Sequence, residues 1–158
     1  MRDKRFVAEH RDGSLTKENH RKLIKWAIEC SEHVLPLIGE DPDGSLIHAL
    51  YVAGEWEKGN ASTGAAMKAS LDAHAAARET SDPVKIAVAR SVGHAVATAH
   101  MADHSPGAAL YALKAVKYAG KSIDEERDWQ KIQLQQLPSE IVELVISVMM
   151  KKAKSFKV

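Results

Sequence analysis

The segment from Pro83 to Ala102, PVKIAVARSVGHAVATAHMA, constrains this chain more than any other. Val84, Ile86, Val88, Val92, Val96 and Met101, with alanines between them, leave almost no polar face. A helix that is apolar nearly all round belongs in the middle of a domain. Lys85, Arg90, His94 and His100 interrupt the run and argue against a membrane span. Ala87, Ser91, Gly93, Ala95, Ala97 and Ala99 would let neighbouring helices approach closely. The fold class that follows is all-α: a compact bundle of about six to seven helices around a buried, Ala-rich central helix at 83–102. With 158 residues, the whole of 1–158 reads as a single helical domain.

Helix punctuation supports this. Thr16 is the expected N-cap of a first helix whose apolar positions Leu23, Ala27, Cys30, Val34 and Leu37 recur every three or four residues. Pro36 should kink or end it. Asp41-Pro42 reads as the start of a second helix, which runs to Gly59. Asn60 is placed to cap an Ala-rich third. Asp82-Pro83 and Ser105-Pro106 open the fourth and fifth, and Gly120 closes the fifth. Ser122-x-x-Glu125 is a capping box for the sixth, and Pro138-Ser139 start the last. No period-two strand pattern competes. Linkers this short make sequential helices antiparallel neighbours.

Polar residues inside this apolar frame are grouped. Arg90, His94 and Thr98 are spaced i, i+4, i+8 and form one stripe. His100, Asp103 and His104 form a second group at the expected helix end, and the third helix adds His74 and Arg78 at i, i+4. Three uses compete. The groups can lock the helices in register by hydrogen bonding, as buried charges require. They can bind a small anionic ligand through Arg78, Arg90 and His94. His100 and His104 have the i, i+4 spacing of a metal pair but lack a clear third ligand, so no metal and no other cofactor is expected. No nucleophile elbow or phosphate-binding glycine loop is present, and the serines sit mostly at helix starts, where capping explains them, so no catalytic residue is assigned.

Charge is uneven, although the net is only +1. Residues 1 to 25 carry eight Lys/Arg against four Asp/Glu. Residues 26 to 57 carry seven acids and no Lys or Arg, among them Glu29, Glu32, Glu40, Asp41 and Asp43. Such a run predicts an acidic patch that would attract a basic partner, or else a solvated face. Nucleic acid is not an expected partner, because no basic stripe is apparent. Trp26, Trp56 and Trp129 fall on helical patterns that suit core packing better than an interface. Cys30, the single cysteine, reads as a small core residue. The apolar IVELVISVMM of the last helix is either fully buried or covered by a second copy, which allows a homo-oligomer. Residues 1–22 resemble no secretory leader, so a cytoplasmic protein is expected.

Two phrases carry a family resemblance. One is Arg5-Phe6-Val7-Ala8-Glu9-His10-Arg11, continued by Leu15 and by Trp26-Ala27-x-x-Cys30-x-Glu32-His33-Val34-Leu35. The other runs from Ala89 through Arg90, Gly93, His94, Thr98 and His100, then on to Ala108–Ala115. Together they resemble the bacterial family of putative immunity proteins with the Imm-5-like domain, over nearly the whole chain. The resemblance implies an all-helical protein of polymorphic toxin systems that binds and neutralises a cognate toxin. It implies no catalytic residues. A basic toxin would meet the acidic run at Glu29, Glu32, Glu40, Asp41 and Asp43. The alternative is a small-molecule-binding or hydrolytic protein using Arg78, Arg90, His94 and His100.

Overall fold

A computed structural model describes residues 2–40 and 42–158. Seven α-helices follow one another: α1 (Lys17–Val34), α2 (Gly44–Glu57), α3 (Thr63–Arg78), α4 (Pro83–Ala97), α5 (Ser105–Tyr118), α6 (Ile123–Leu134) and α7 (Ser139–Phe156). Short 3-10 turns at Lys4–Phe6 and Glu9–Arg11 precede them, and others lie at Leu35–Ile38 and Ala102–His104. There is no strand among the described residues, only one isolated bridge between Ala8 and Leu15. No described helix is long and apolar enough to cross a membrane.

Local chemistry sets most boundaries where the sequence places them. Thr16, Asp82 and Ser122 each accept a hydrogen bond from a backbone N–H in the first turn of their helix. Asp82 satisfies two such donors, Val84 N at 2.9 Å and Lys85 N at 3.4 Å. Replacing Asp82 by Ala leaves both without a side-chain acceptor. The expected loss is about 1 kcal/mol of stability, readable as a lower midpoint in urea.

Four starts or stops differ from expectation. The expected cap Asp41 lies outside the described residues, Pro42 precedes the helix, and Asp43 caps α2 through Ser45 N. Ser62, not Asn60, caps α3 by accepting from Ala65 N. Ser105 lies inside the first turn of α5 and donates its hydroxyl to Ala102 O, so His104 occupies the cap. The central helix stops at Ala97 rather than 102. There the Thr98 hydroxyl donates to His94 O, the following amides tighten into i→i−3 bonds, and Met101 is extended. The Thr98 carbonyl leaves the helical ladder and instead accepts from His20 Nε2 at 2.6 Å.

α4 is the buried centre: Ala87, Val88, Ala89, Ser91, Val92, Gly93, Ala95 and Val96 are all buried. It packs most extensively on α3 and α5 and also touches α1 and α2. Where α1, α4 and α5 meet, Ala27, Ala95 and Ala108 are fully buried. Ser91 joins the three there, donating to Ala108 O at 2.8 Å and accepting from Ser31 Oγ at 2.8 Å. The apolar face of α7 is taken up within the chain. Ile141, Val142, Leu144, Val145 and Met149 pack with Phe6, Leu23, Trp26 and Leu113. Trp26 is fully buried and its indole N–H donates to Gln130 O.

Candidate functional site

The polar stripe of α4 meets α3 and α5 in a short chain of rings. Arg90 Nη1 donates to His74 Nδ1 at 2.8 Å, across the α3–α4 contact. Arginine is donor-only, so His74 Nδ1 is the acceptor and its proton sits on Nε2. The His74 ring lies edge-on to His94, centroids 5.3 Å apart. His94 in turn stacks on Tyr111 at 5.2 Å, and its Nδ1 is hydrogen-bonded to His104 Nδ1 at 3.1 Å, one ring donating to the other. Tyr111 continues to Phe156 of α7.

Glycine makes this possible at two points. A Cβ on Gly93 would come within 2.5 Å of His74 Nε2, and one on Gly107 within 2.9 Å of His94 Nδ1. Each ring therefore occupies the place where a neighbouring residue has no side chain. Burial, reinforced by the Arg90 charge, pushes the His74 pKa down to about 4. Burial and the neighbouring imidazole of His104 push His94 down to about 3. Burial also lowers His104, against the opposing charge of Asp103. All three rings are neutral at pH 7.

The other predicted members separate from this chain. Arg78 is exposed and reaches His74 only through its charge. Thr98 is fully buried and serves the helix end. His100 has left the helix and faces a cleft of about 550 Å³ beside the N-terminal segment. Among the described residues, no three His, Cys, Asp or Glu side chains are grouped to hold a metal ion. The principal cavities are lined by other residues; of the predicted polar cluster only His100 faces one.

The acidic run divides differently. Glu32 and Glu40, both exposed, flank a groove of about 780 Å³ between the end of α1, the 3-10 turn after it and α2. Its apolar lining includes Leu35, Pro36, Ile47, Leu50 and Tyr51, with no Lys or Arg. Ile47 is 47% exposed and Tyr51 64% exposed, so two large side chains stand open to solvent. Burial raises the Glu32 carboxyl above the usual range, and the nearby Glu29 charge adds to this. Glu29 itself accepts from Gln136 Nε2 at 3.0 Å. Asp43 is occupied by Ser45 as a cap, and Asp41 lies outside the described residues. Composition pointed to the acids, but the apolar floor between them emerges only when the chain turns at Pro36.

A further pair had no signal in the pattern. His33 Nδ1 bonds Glu126 Oε2 at 2.6 Å while its ring stacks on Trp129, centroids 3.6 Å apart. Residues 33 and 126 are 93 positions apart, so only the fold brings them together.

Residues 13–137 match the family model described as Imm-5 like putative immunity protein. No curated protein and no solved structure matches the chain.

Proposed function

The chain belongs to the Imm-5 like putative immunity protein family, and from that premise we propose that it protects by binding a protein toxin directly, with the groove at the end of α1 as the contact surface. The observation that carries this reading is the groove's composition: an apolar floor, two exposed large side chains and a rim of carboxylates without a cation. Interfaces that bind tightly centre on buried aromatic anchors, and Tyr51 is such an anchor in waiting. The rim charge of Glu32 and Glu40 would speed encounter with a basic toxin domain and fix its orientation. The polar rings of α3, α4 and α5 serve this function indirectly, by holding the scaffold in one register.

Co-expression tests the proposal. A toxin domain encoded beside this gene is produced with the chain or with variants, and cell survival is counted. Tyr51→Ala combined with Glu32→Lys is expected to abolish protection while the purified variant melts within a few degrees of the parent. Removal of one central anchor typically costs about 2 kcal/mol or more, roughly 30-fold in affinity. Full protection by this double variant would reject the groove as the contact surface. Protection that needs neither complex formation nor the groove would reject direct binding altogether.

A further inference from the structure

The basic excess of the N-terminal residues gathers at the other end of α1. There the cleft of about 550 Å³ lies between the N-terminal segment, the first turn of α1 and the α2–α3 connection. Arg11, Lys17 and Arg21 line it, and none has a carboxylate within ion-pair distance among the described residues. The Arg21 guanidinium lies over Gly59, where a Cβ would be 3.2 Å from it. The sole acid in the lining is Glu9. Two helix N-termini add to the positive field, because Lys17 opens α1 and Thr63 opens α3.

The floor is aromatic and presents one solvent-open acceptor. Trp56 lines the cleft, tied in place by donation from its indole N–H to Thr63 Oγ1 at 3.1 Å. His20 packs against it with centroids 4.8 Å apart and is only 9% exposed. Its Nε2 donates to Thr98 O, a carbonyl that can only accept, so Nδ1 carries the lone pair. Among the described residues that Nδ1 has no protein partner and is open to solvent, and His20 lines the cleft.

We propose that this cleft binds a small phosphorylated ligand of the nucleotide class. The phosphates would lie among Arg11, Lys17 and Arg21 at the helix N-termini. A planar base would rest on Trp56, and a hydroxyl or amino group would donate to His20 Nδ1. Each part of such a ligand answers a separate feature: charge, ring and donor. The volume lies within the roughly 300–1,000 Å³ of small-molecule sites. The site is independent of the toxin-binding reading. Cleft and groove share no lining residue.

Titration calorimetry on the full chain tests this with a panel of purine and pyrimidine nucleoside diphosphates. Inorganic phosphate, free nucleosides and a short oligothymidylate are run beside them. At least one diphosphate is expected to bind one-to-one, with phosphate and the matching nucleoside each weaker by about tenfold or more. Lys17→Gln with Arg21→Gln, changes at one exposed and one half-buried side chain, should weaken that binding about tenfold or more. His20→Phe should weaken it too, and more for a ligand that keeps its donor group than for one lacking it. The Glu32→Lys/Tyr51→Ala variant should bind the nucleotide unchanged, so this proposal and the groove fail separately. No saturable heat from any diphosphate at about 1 mM overturns the proposal. Phosphate binding as tightly as the nucleotide, or oligothymidylate binding alone with a steep salt dependence, overturns it as well.

Discussion

Acidification from pH 7 to pH 5 is expected to remove roughly 2–4 kcal/mol of stability through His74 and His94 alone. Both are neutral in the folded chain, held down to about 4 and about 3 by burial and by neighbouring positive or protonatable groups. In the unfolded chain each titrates near its ordinary value of 6.5. As pH falls below 6.5, the unfolded state takes up protons that the folded state refuses. The stability present above 6.5 is therefore lost progressively, until the folded rings themselves protonate near pH 4 and 3. His104 and His20 are lowered in the same direction and add to the slope. The depressed carboxylates, Asp3 and Asp43, act in the same sense only below about pH 4, and Glu32, whose carboxyl is raised, opposes the slope as pH falls, so the loss from 6.5 to 5 comes from the histidines. For a chain of this size the melting temperature should drop by roughly 5–15 °C across it. Calorimetry at half-unit steps of pH measures this, and His94→Gln should flatten the curve. A melting temperature constant from pH 7 to 5 would show that the rings are not held neutral.

Gly93→Leu is expected to cost about 3 kcal/mol or more, among the largest losses available outside the apolar core. Even the Cβ of alanine would stand 2.5 Å from the His74 ring, and that ring is not free to swing away. It is held by Arg90 at 2.8 Å and wedged edge-on against His94. The Gly93 carbonyl is held as well, accepting from Ser70 Oγ at 2.8 Å. Gly93→Ala should cost less, because helix propensity gains about 1 kcal/mol against the overlap. Removing the obstruction is the decisive control. His74→Ala lowers stability alone, yet combined with Gly93→Leu it should recover part of the loss, giving a coupling of about 1 kcal/mol or more. Strict additivity in urea denaturation of the four proteins would mean that glycine and ring do not share one space.

What was legible in the sequence follows from the range of the forces involved. Thr16, Asp82 and Ser122 cap their helices as read, because a cap is a bond across three residues. Where several polar residues crowd a loop, the same reasoning lands a residue or two away, as at Asn60 against Ser62. The end of α4 could not be read from periodicity, since the apolar pattern runs on past Ala97. The stop comes from Thr98 bonding back to His94 O and from His20, 78 positions away, capturing the Thr98 carbonyl. The i, i+4 spacing did expose the α4 stripe, and antiparallel α3 and α4 made the His74–Arg90 pair foreseeable. The cleft was not foreseeable, because residues near 10, 20, 60 and 100 contribute to it and none forms a local motif. The acidic run was visible as composition, but the apolar groove between Glu32 and Glu40 depends on a chain reversal.

Cys30 adds a property of a different kind. The thiol is fully buried on the inner face of α1, and burial, with the Glu126 and Glu29 charges, pushes its pKa well above the usual value. A thiol neither exposed nor ionised is a poor nucleophile toward disulfides and peroxides alike. With no second cysteine in the chain, no internal disulfide can form or be lost. The fold therefore carries no thiol switch: while the helices stay packed, thiol–disulfide exchange has nothing in this chain to act on.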